Sequence, residues 1–257
     1  RLVMAPLTRM RADDDRTPNR AMAEYYSQRT TPGGLLITEG IAVSTEAHGY
    51  PRTTGLYSDA QQEGWARVVE AVHAKGGLVV AQLWHCGRAS HPSLQPQLDA
   101  PPAPSAIAAS GRALCSNFTW GARPTPREMS IDDVRETIED YARAARRARA
   151  AGFDAVELHA ANGYLPDQFT CSSSNARTDE YGGGVANRCR FTLEVLGALV
   201  EAVGAGRVGV RLSPAGKFND MADADPRATY SYLIGEADQM GLAYLHITEP
   251  DTAHALD

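Results

Sequence analysis

Ala155-Val156-Glu157-Leu158-His159-Ala160-Ala161-Asn162-Gly163-Tyr164 begins as a short run of strand length, continuous rather than alternating, and ends in polar and special residues. Continuous runs are how parallel strands covered on both faces read. Five more runs share the design: Leu2-Val3-Met4-Ala5, Leu35-Leu36-Ile37-Thr38, Leu78-Val79-Val80-Ala81-Gln82-Leu83, Val208-Gly209-Val210-Arg211-Leu212 and Ala243-Tyr244-Leu245-His246-Ile247. Polar clusters follow them, such as Pro6-Leu7-Thr8-Arg9, Glu39-Gly40, Trp84-His85 and Ser213-Pro214. Helical patterns lie between. Residues 61–75 put Trp65, Val68, Val69 and Val72 on one face before Gly76-Gly77 stops them, and 130–151 start at a cap, Ser130 or Asp132, and end at Gly152. Residues 187–203 and 225–240 are two more. The alternation predicts parallel βαβ units, with function at the carboxyl ends of the strands as in an α/β barrel. A dinucleotide-binding sheet would carry GxGxxG after its first strand, and none is there. Residues 86–129, rich in Pro, Ser and Ala, break the rhythm and are expected to form a lid over the barrel mouth with a small hairpin of their own.

The chain has 257 residues, 43% hydrophobic and 22% charged, enough for one barrel domain over 1–257 with a large core. A net charge of -6 argues against nucleic acid or an anionic membrane surface as the main partner. No apolar run reaches the length of a membrane span. The opening RLVMAPLTRM lacks an initiator Met and reads as strand and loop rather than signal peptide. Cys86, Cys115, Cys171 and Cys189 form no CxxC pair, so neither a zinc knot nor a disulfide scaffold is expected, and a cytoplasmic location is.

His159 and Asn162, three apart, point the same way if the chain turns helically there, and together offer two donors to one oxygen. Such a pair polarises a carbonyl or nitro group and stabilises the enolate-like charge that develops on hydride addition. Tyr164 adds a weak acid with a proton to give. On residue type alone, each candidate keeps a plain structural reading. A strand-end His is more often structural, and Tyr164 reads equally as a buried hydroxyl bonded to backbone. Thr8 reads as a loop cap, Gln82 as a satisfied core amide and Trp84 as packing. Arg211, between Val210 and Leu212, needs an anionic partner if it points into a barrel: a bound anion, or a strand-end carboxylate such as Glu39. Arg177 and Asp179 read as holding a turn before Gly182-Gly183. Arg135 to Arg149 read as a solvated helix face, with Glu136–Asp140 and Arg143–Arg147 toward water. His85 and Arg88 receive no role. A metal-dependent aldolase or hydrolase would need Asp, Glu and His clustered at several strand ends. These ends carry Thr, Gly, Gln, Trp, Asn and Arg, so no metal site is expected.

The motifs HAANGY with Gln168-Phe169, SSNARTDEYGG (173–183) and NRCRF (187–191) resemble the old yellow enzyme family. MAPLTRMRA, ITEG (37–40), QLWHCGR (82–88) and VGVRLSP (208–214) are similar to its other motifs, and all occur in family order along the whole chain. Within the family the likeness is greatest to the N-ethylmaleimide reductase and oxophytodienoate reductase branch. The resemblance implies a TIM (β/α)8 barrel and non-covalent FMN, reduced by NADPH or NADH. The activity it implies is ene-reduction of activated alkenes (enones, maleimides, nitro compounds) by a monomer or homodimer. Carried over by position, Thr8 reaches the flavin carbonyl edge, Pro6 and Leu7 line the ring, and Gly40 lets its edge approach closely. Gln82 binds the pyrimidine end, and Arg211 faces the negative charge of the reduced ring, which a fixed cation stabilises. His159 and Asn162 become the carbonyl-binding pair, Tyr164 the proton donor, and Trp84 and Tyr50 the pocket aromatics.

Six strands are counted where a closed barrel of this type has eight. Family members continue past the sixth, and the added strands hold the FMN phosphate. They also begin with a hairpin plugging the barrel bottom. The chain is therefore expected to be part of a longer protein, ending in the loop after the sixth strand, and to be poorly soluble or colourless alone. The alternative is a truncated, FMN-deficient paralogue with a binding role or no catalytic role.

Overall fold

A computed structural model describes residues 2–249. The barrel strands are β1 (Val3–Met4), β2 (Leu35–Ala42), β3 (Leu78–Trp84), β8 (Ala155–Ala160), β9 (Val208–Leu212) and β10 (Tyr244–Ile247), and β4 (Pro102–Ala103), β5 (Arg112–Leu114), β6 (Trp120–Ala122) and β7 (Arg127–Glu128) lie between β3 and β8. The six barrel strands form one parallel sheet in chain order, with β1 and β10 at its edges. That is six strands' worth of a TIM barrel, at the six predicted places. The loop expected up to Asp257 lies, from residue 250 on, outside the described residues.

Side chains alternate across a strand, so each strand splits its residues between two faces. Val79, Ala81 and Leu83, Val156 and Leu158, and Val210 and Leu212 pack into the main core, which the helices share. α2 (Asp59–His73) contributes Trp65, Val68, Val69 and Val72. α3 (Ile131–Ala150) and α5 (Val185–Val203) contribute Tyr141, Ala145, Phe191 and Leu196. Gln82 and Trp84, Glu157 and His159, and Arg211 occupy the alternate positions and face the other side of the sheet. Between the two edge strands a concavity of about 460 Å3 is lined by Val3, Ala5, Leu35, Ile37, Leu245 and Ile247 among others.

The helix starts follow cap chemistry. Ser58 and Gln61 make a reciprocal capping box at α2, two residues before the predicted start, and Ser130 and Asp133 make one at α3, so Ser130 rather than Asp132 is the cap. α5 begins two residues earlier than read, and α6 (Pro226–Asp238) is shorter at both ends than read. α1 (Arg20–Gln28) and α4 (Leu165–Thr170) were not anticipated. β2 runs on through Ile41 and Ala42 by way of an irregularity between Ile37 and Gly40, where the Gln82 backbone N–H donates to Thr38 Oγ1 (3.1 Å).

The α3 surface corrects the expected pairs. Arg143 bonds Glu136 and Asp140, and Asp140 is largely covered; Arg147 reaches across to Asp59 (2.7 Å) and Gln62 (3.2 Å) of α2. Residues 86–129 hold two 3-10 turns and the antiparallel pair β5–β6, while β4 pairs in parallel with β7. Arg177 behaves as read: its guanidinium holds Asp179, and it also donates to Pro104 O (2.9 Å) and Met129 O (2.6 Å), tying the two ends of β4–β7 down. Among the described residues no helix is long and apolar enough to cross a membrane.

Candidate active site

The chain does not turn helically after β8. Asn162 (φ 59°) and Gly163 (φ 71°) are two successive left-handed residues, and the next helix starts at Leu165. Gly163 is required twice over. Its φ is positive, and a Cβ would press within 2.6–2.7 Å of Asn219, Met221 and the Phe218 carbonyl. Buried polar groups hold the turn. Gly163 N–H donates to Asp167 Oδ2 (2.8 Å), Asn162 N–H to Ser213 Oγ (2.8 Å), and Asn219 Nδ2 to the Asn162 carbonyl (2.8 Å). Ser213 and Tyr230 both donate to Asp167, at 3.5 and 2.9 Å, and burial raises this carboxyl to about 6. Gln168 joins the turn to the tip of β3, donating to the Cys86 and Gly163 carbonyls (2.9 and 2.7 Å) and accepting from Arg88 N–H (3.1 Å).

Four sequence-predicted residues meet in one aromatic group. Trp84 stacks beside His159 (centroids 6.2 Å apart, 18° between planes), and Tyr164 meets both edge-on at 4.9 Å. Tyr50 also stacks on Trp84, at 5.6 Å. The Tyr164 hydroxyl is bonded to the Tyr50 hydroxyl (3.2 Å), not to a backbone group. Burial, then the charges of Arg211 and His246, drive the His159 pKa well down, so the ring is neutral, with one N–H donor. Its Nδ1 is buried and has no partner among the described residues. Burial raises the Tyr164 hydroxyl pKa, so its proton stays on.

One layer lower, Gln82 pairs in register with Gly40 on one side and Glu157 on the other. The Gln82 side-chain amide donates to Glu157 Oε1 (2.7 Å), and His246 Nδ1 lies 3.0 Å from Glu157 Oε2. The satisfied-amide reading of Gln82 therefore holds for its nitrogen. Arg211 stands in register with His159, and its buried Nε has no partner among the described residues. The suggested bridge to Glu39 does not form. Glu39 bonds Tyr26 of α1 instead (3.3 Å), on the helix side of the sheet. At Gly40 the close neighbour within the chain is Trp84, whose indole a Cβ would overlap. Pro6 and Thr8 are half-buried and Leu7 is exposed in the segment after β1, and no recorded hydrogen bond joins them to the other site residues.

Two arginines were missed. Arg88, buried, donates to Ile107 O (3.1 Å), Asn219 O (3.4 Å) and Asp220 O (3.2 Å), clamping the 86–129 excursion to the loop after β9. Arg123 donates to Asn219 Oδ1 (2.7 Å), while its Nε and Nη1 are buried without partners among the described residues. Neither signals itself in sequence, because an Arg in a polar loop usually faces water.

The sheet order, with imidazole, phenol, indole and guanidinium gathered at the strand tips, defines a barrel protein with its site at the carboxyl ends of its strands. The chain belongs to the NADH:flavin oxidoreductase / NADH oxidase family, whose model matches residues 1–256. It is 48% identical over 257 residues to 12-oxophytodienoate reductase 7 of Oryza sativa subsp. japonica, covering 97% of this chain and 65% of that protein. It is 46% identical over 258 residues to chanoclavine-I aldehyde reductase of Penicillium roqueforti, covering 100% and 68%. Its fold superposes on morphinone reductase in complex with tetrahydroNAD with a TM-score of 0.91 at 48% identity, over 98% of this chain and 71% of that one. The old yellow enzyme homologue of Zymomonas mobilis gives a TM-score of 0.92 at 40% identity, over 96% and 68%. The chain thus spans about two thirds of the length of the curated relatives it matches.

Proposed function

We propose that this chain carries the flavin face and the substrate face of an FMN-dependent ene-reductase acting on activated alkenes or nitro compounds. Arg211 carries the reading: a strand-borne guanidinium whose buried Nε lacks an acceptor, beside a neutral His159 whose buried Nδ1 has no partner among the described residues. A buried guanidinium nitrogen with a hydrogen bond still to give suits an electron-rich, partly anionic ring and does not suit a metal cation. Arg211 and Gln82 would hold the flavin, with Pro6, Leu7, Thr8 and Gly40 along its edge. The flavin, when bound, supplies hydride transfer from NADH or NADPH to the alkene.

The chain's own groups do the rest. His159 and Asn162 bind the carbonyl or nitro oxygen and stabilise the charge that moves onto it. Tyr164 gives its proton to the neighbouring carbon. Trp84 and Tyr50 wall the pocket, and the 86–129 excursion, clamped through Arg88, shields it from water. Absorbance of the purified full-length protein tests the reading. We expect a flavin band, lost or weakened in Arg211→Met; a protein without flavin, which also takes up no added FMN, refutes it.

A further inference from the structure

We infer that Tyr50 is the positioning residue through which Tyr164 works: its hydroxyl stabilises the phenolate left behind and passes on the replacement proton. The inference rests on Tyr164 being the donor. Three observations carry it.

First, the Tyr164 hydroxyl is buried, and among the described residues its one hydrogen bond is the 3.2 Å contact with Tyr50. Burial makes this phenol a poor acid, because the phenolate is left in a dry pocket, and the Tyr50 contact raises it further for as long as Tyr164 is the one donating across the pair. A donor must face that oxygen as the proton leaves, and Tyr50 is the hydroxyl within reach.

Second, Tyr50 is fixed. Its ring lies on Trp84 at 5.6 Å and 17°, and its carbonyl accepts from Arg16 Nη1 (3.3 Å) and Thr53 Oγ1 (3.0 Å). Before it, Gly49 fits so tightly that a Cβ would lie 2.5 Å from the Ala89 carbonyl and 2.6 Å from Cys86.

Third, one cation offsets part of what burial costs the pair. The Arg123 guanidinium acts on both phenols and has two buried nitrogens free among the described residues. The other titratable neighbours, the Cys86 thiol and the His159 imidazole, are held neutral by burial.

The step balances without a redox partner. The Tyr164 O–H bond breaks and its proton forms a C–H bond at the carbanionic carbon. The electron pair stays on the Tyr164 oxygen, which then takes the Tyr50 proton. Tyr50 is half-buried, and water restores its proton.

Tyr50→Phe keeps the stacked ring and removes only the hydroxyl, which separates this role from that of a pocket wall. The full-length, flavin-loaded protein is compared with Tyr50→Phe and Tyr164→Phe on an enone and on a nitroalkene. We expect Tyr164→Phe to slow enone reduction on the order of 100-fold. Tyr50→Phe should slow it roughly tenfold, the worth of one hydrogen bond to a charged group. Both variants should release more of the nitroalkene as nitronate. Replacing Tyr164 by the more acidic 3-fluorotyrosine in the Tyr50→Phe background should recover part of the lost rate. If Tyr164→Phe shifts rate and nitronate fraction while Tyr50→Phe shifts neither, Tyr50 is a wall only and the inference falls. If neither variant shifts them, the donor role of Tyr164 falls with it.

Discussion

At the scale of single residues, the turn after β8 shows what a sequence can and cannot disclose. The residue types in HAANGY announce donors and an acid, because few side chains supply them. The geometry that aims them does not show, since it depends on two successive left-handed residues and on Asp167, Ser213 and Asn219 bonding to their backbone. Replacing His159 with Ala removes the one N–H of a neutral ring. Alkene reduction should fall on the order of 100-fold, with KM raised, in steady-state assays of the full-length protein; unchanged kinetics would remove His159 from the site. Replacing Asp167 with Ala strands the Gly163 amide and the Ser213 and Tyr230 hydroxyls. Unfolding by urea should then register a loss of about 2–4 kcal/mol. Asp167→Asn, which keeps an acceptor for Gly163, should lose less. Equal losses would mean the charge, not the turn, is what Asp167 supplies.

Among the helices, the long ones were legible and the short ones were not. α2 and α3 declare themselves by apolar spacing and a cap, whereas α1 has nine residues and α4 six, too few turns for a period to stand out. The path of β2 past Thr38 was hidden for another reason: a bulge interrupts the register, and Glu39 within it faces helix α1 rather than the barrel interior. The 86–129 excursion was recognised as an excursion, yet its anchoring was not, because Arg88 and Arg177 act through backbone carbonyls that no pattern marks. Arg88 alone joins Ile107 to Asn219 and Asp220. Arg88→Met should therefore cost about 2–3 kcal/mol. It should also quicken amide hydrogen exchange around residues 107 and 219–220 while leaving the β2–β3 ladder protected. Uniform quickening across the sheet would instead mark Arg88 as a global core residue.

For the whole molecule, buried ionisable groups set a stability profile in which two populations oppose each other. His48 and His85 are driven by burial from 6.5 to about 3. Their stabilisation is complete above pH 6.5 and is lost as the pH falls toward 3, because the unfolded chain binds the protons more readily. Burial raises Glu39 from 4.5 to about 7 and Asp167 from 3.8 to about 6. Their stabilisation is complete below the unfolded values and is lost as the pH rises through the folded ones. Stability should therefore peak near pH 6.5, with a steep acid side and a shallow alkaline side. Glu39→Gln isolates one contribution, since an amide keeps an acceptor for the Tyr26 hydroxyl without a charge to bury. A carboxyl shifted from 4.5 to about 7 corresponds to at most about 3 kcal/mol. Relative to the parent, this variant should gain about 2–3 kcal/mol in urea unfolding on moving from pH 4 to pH 8. The same margin at both pH values would mean that Glu39 ionises alike in the folded and unfolded chain, and that its neighbours, Arg9 among them, already balance its charge.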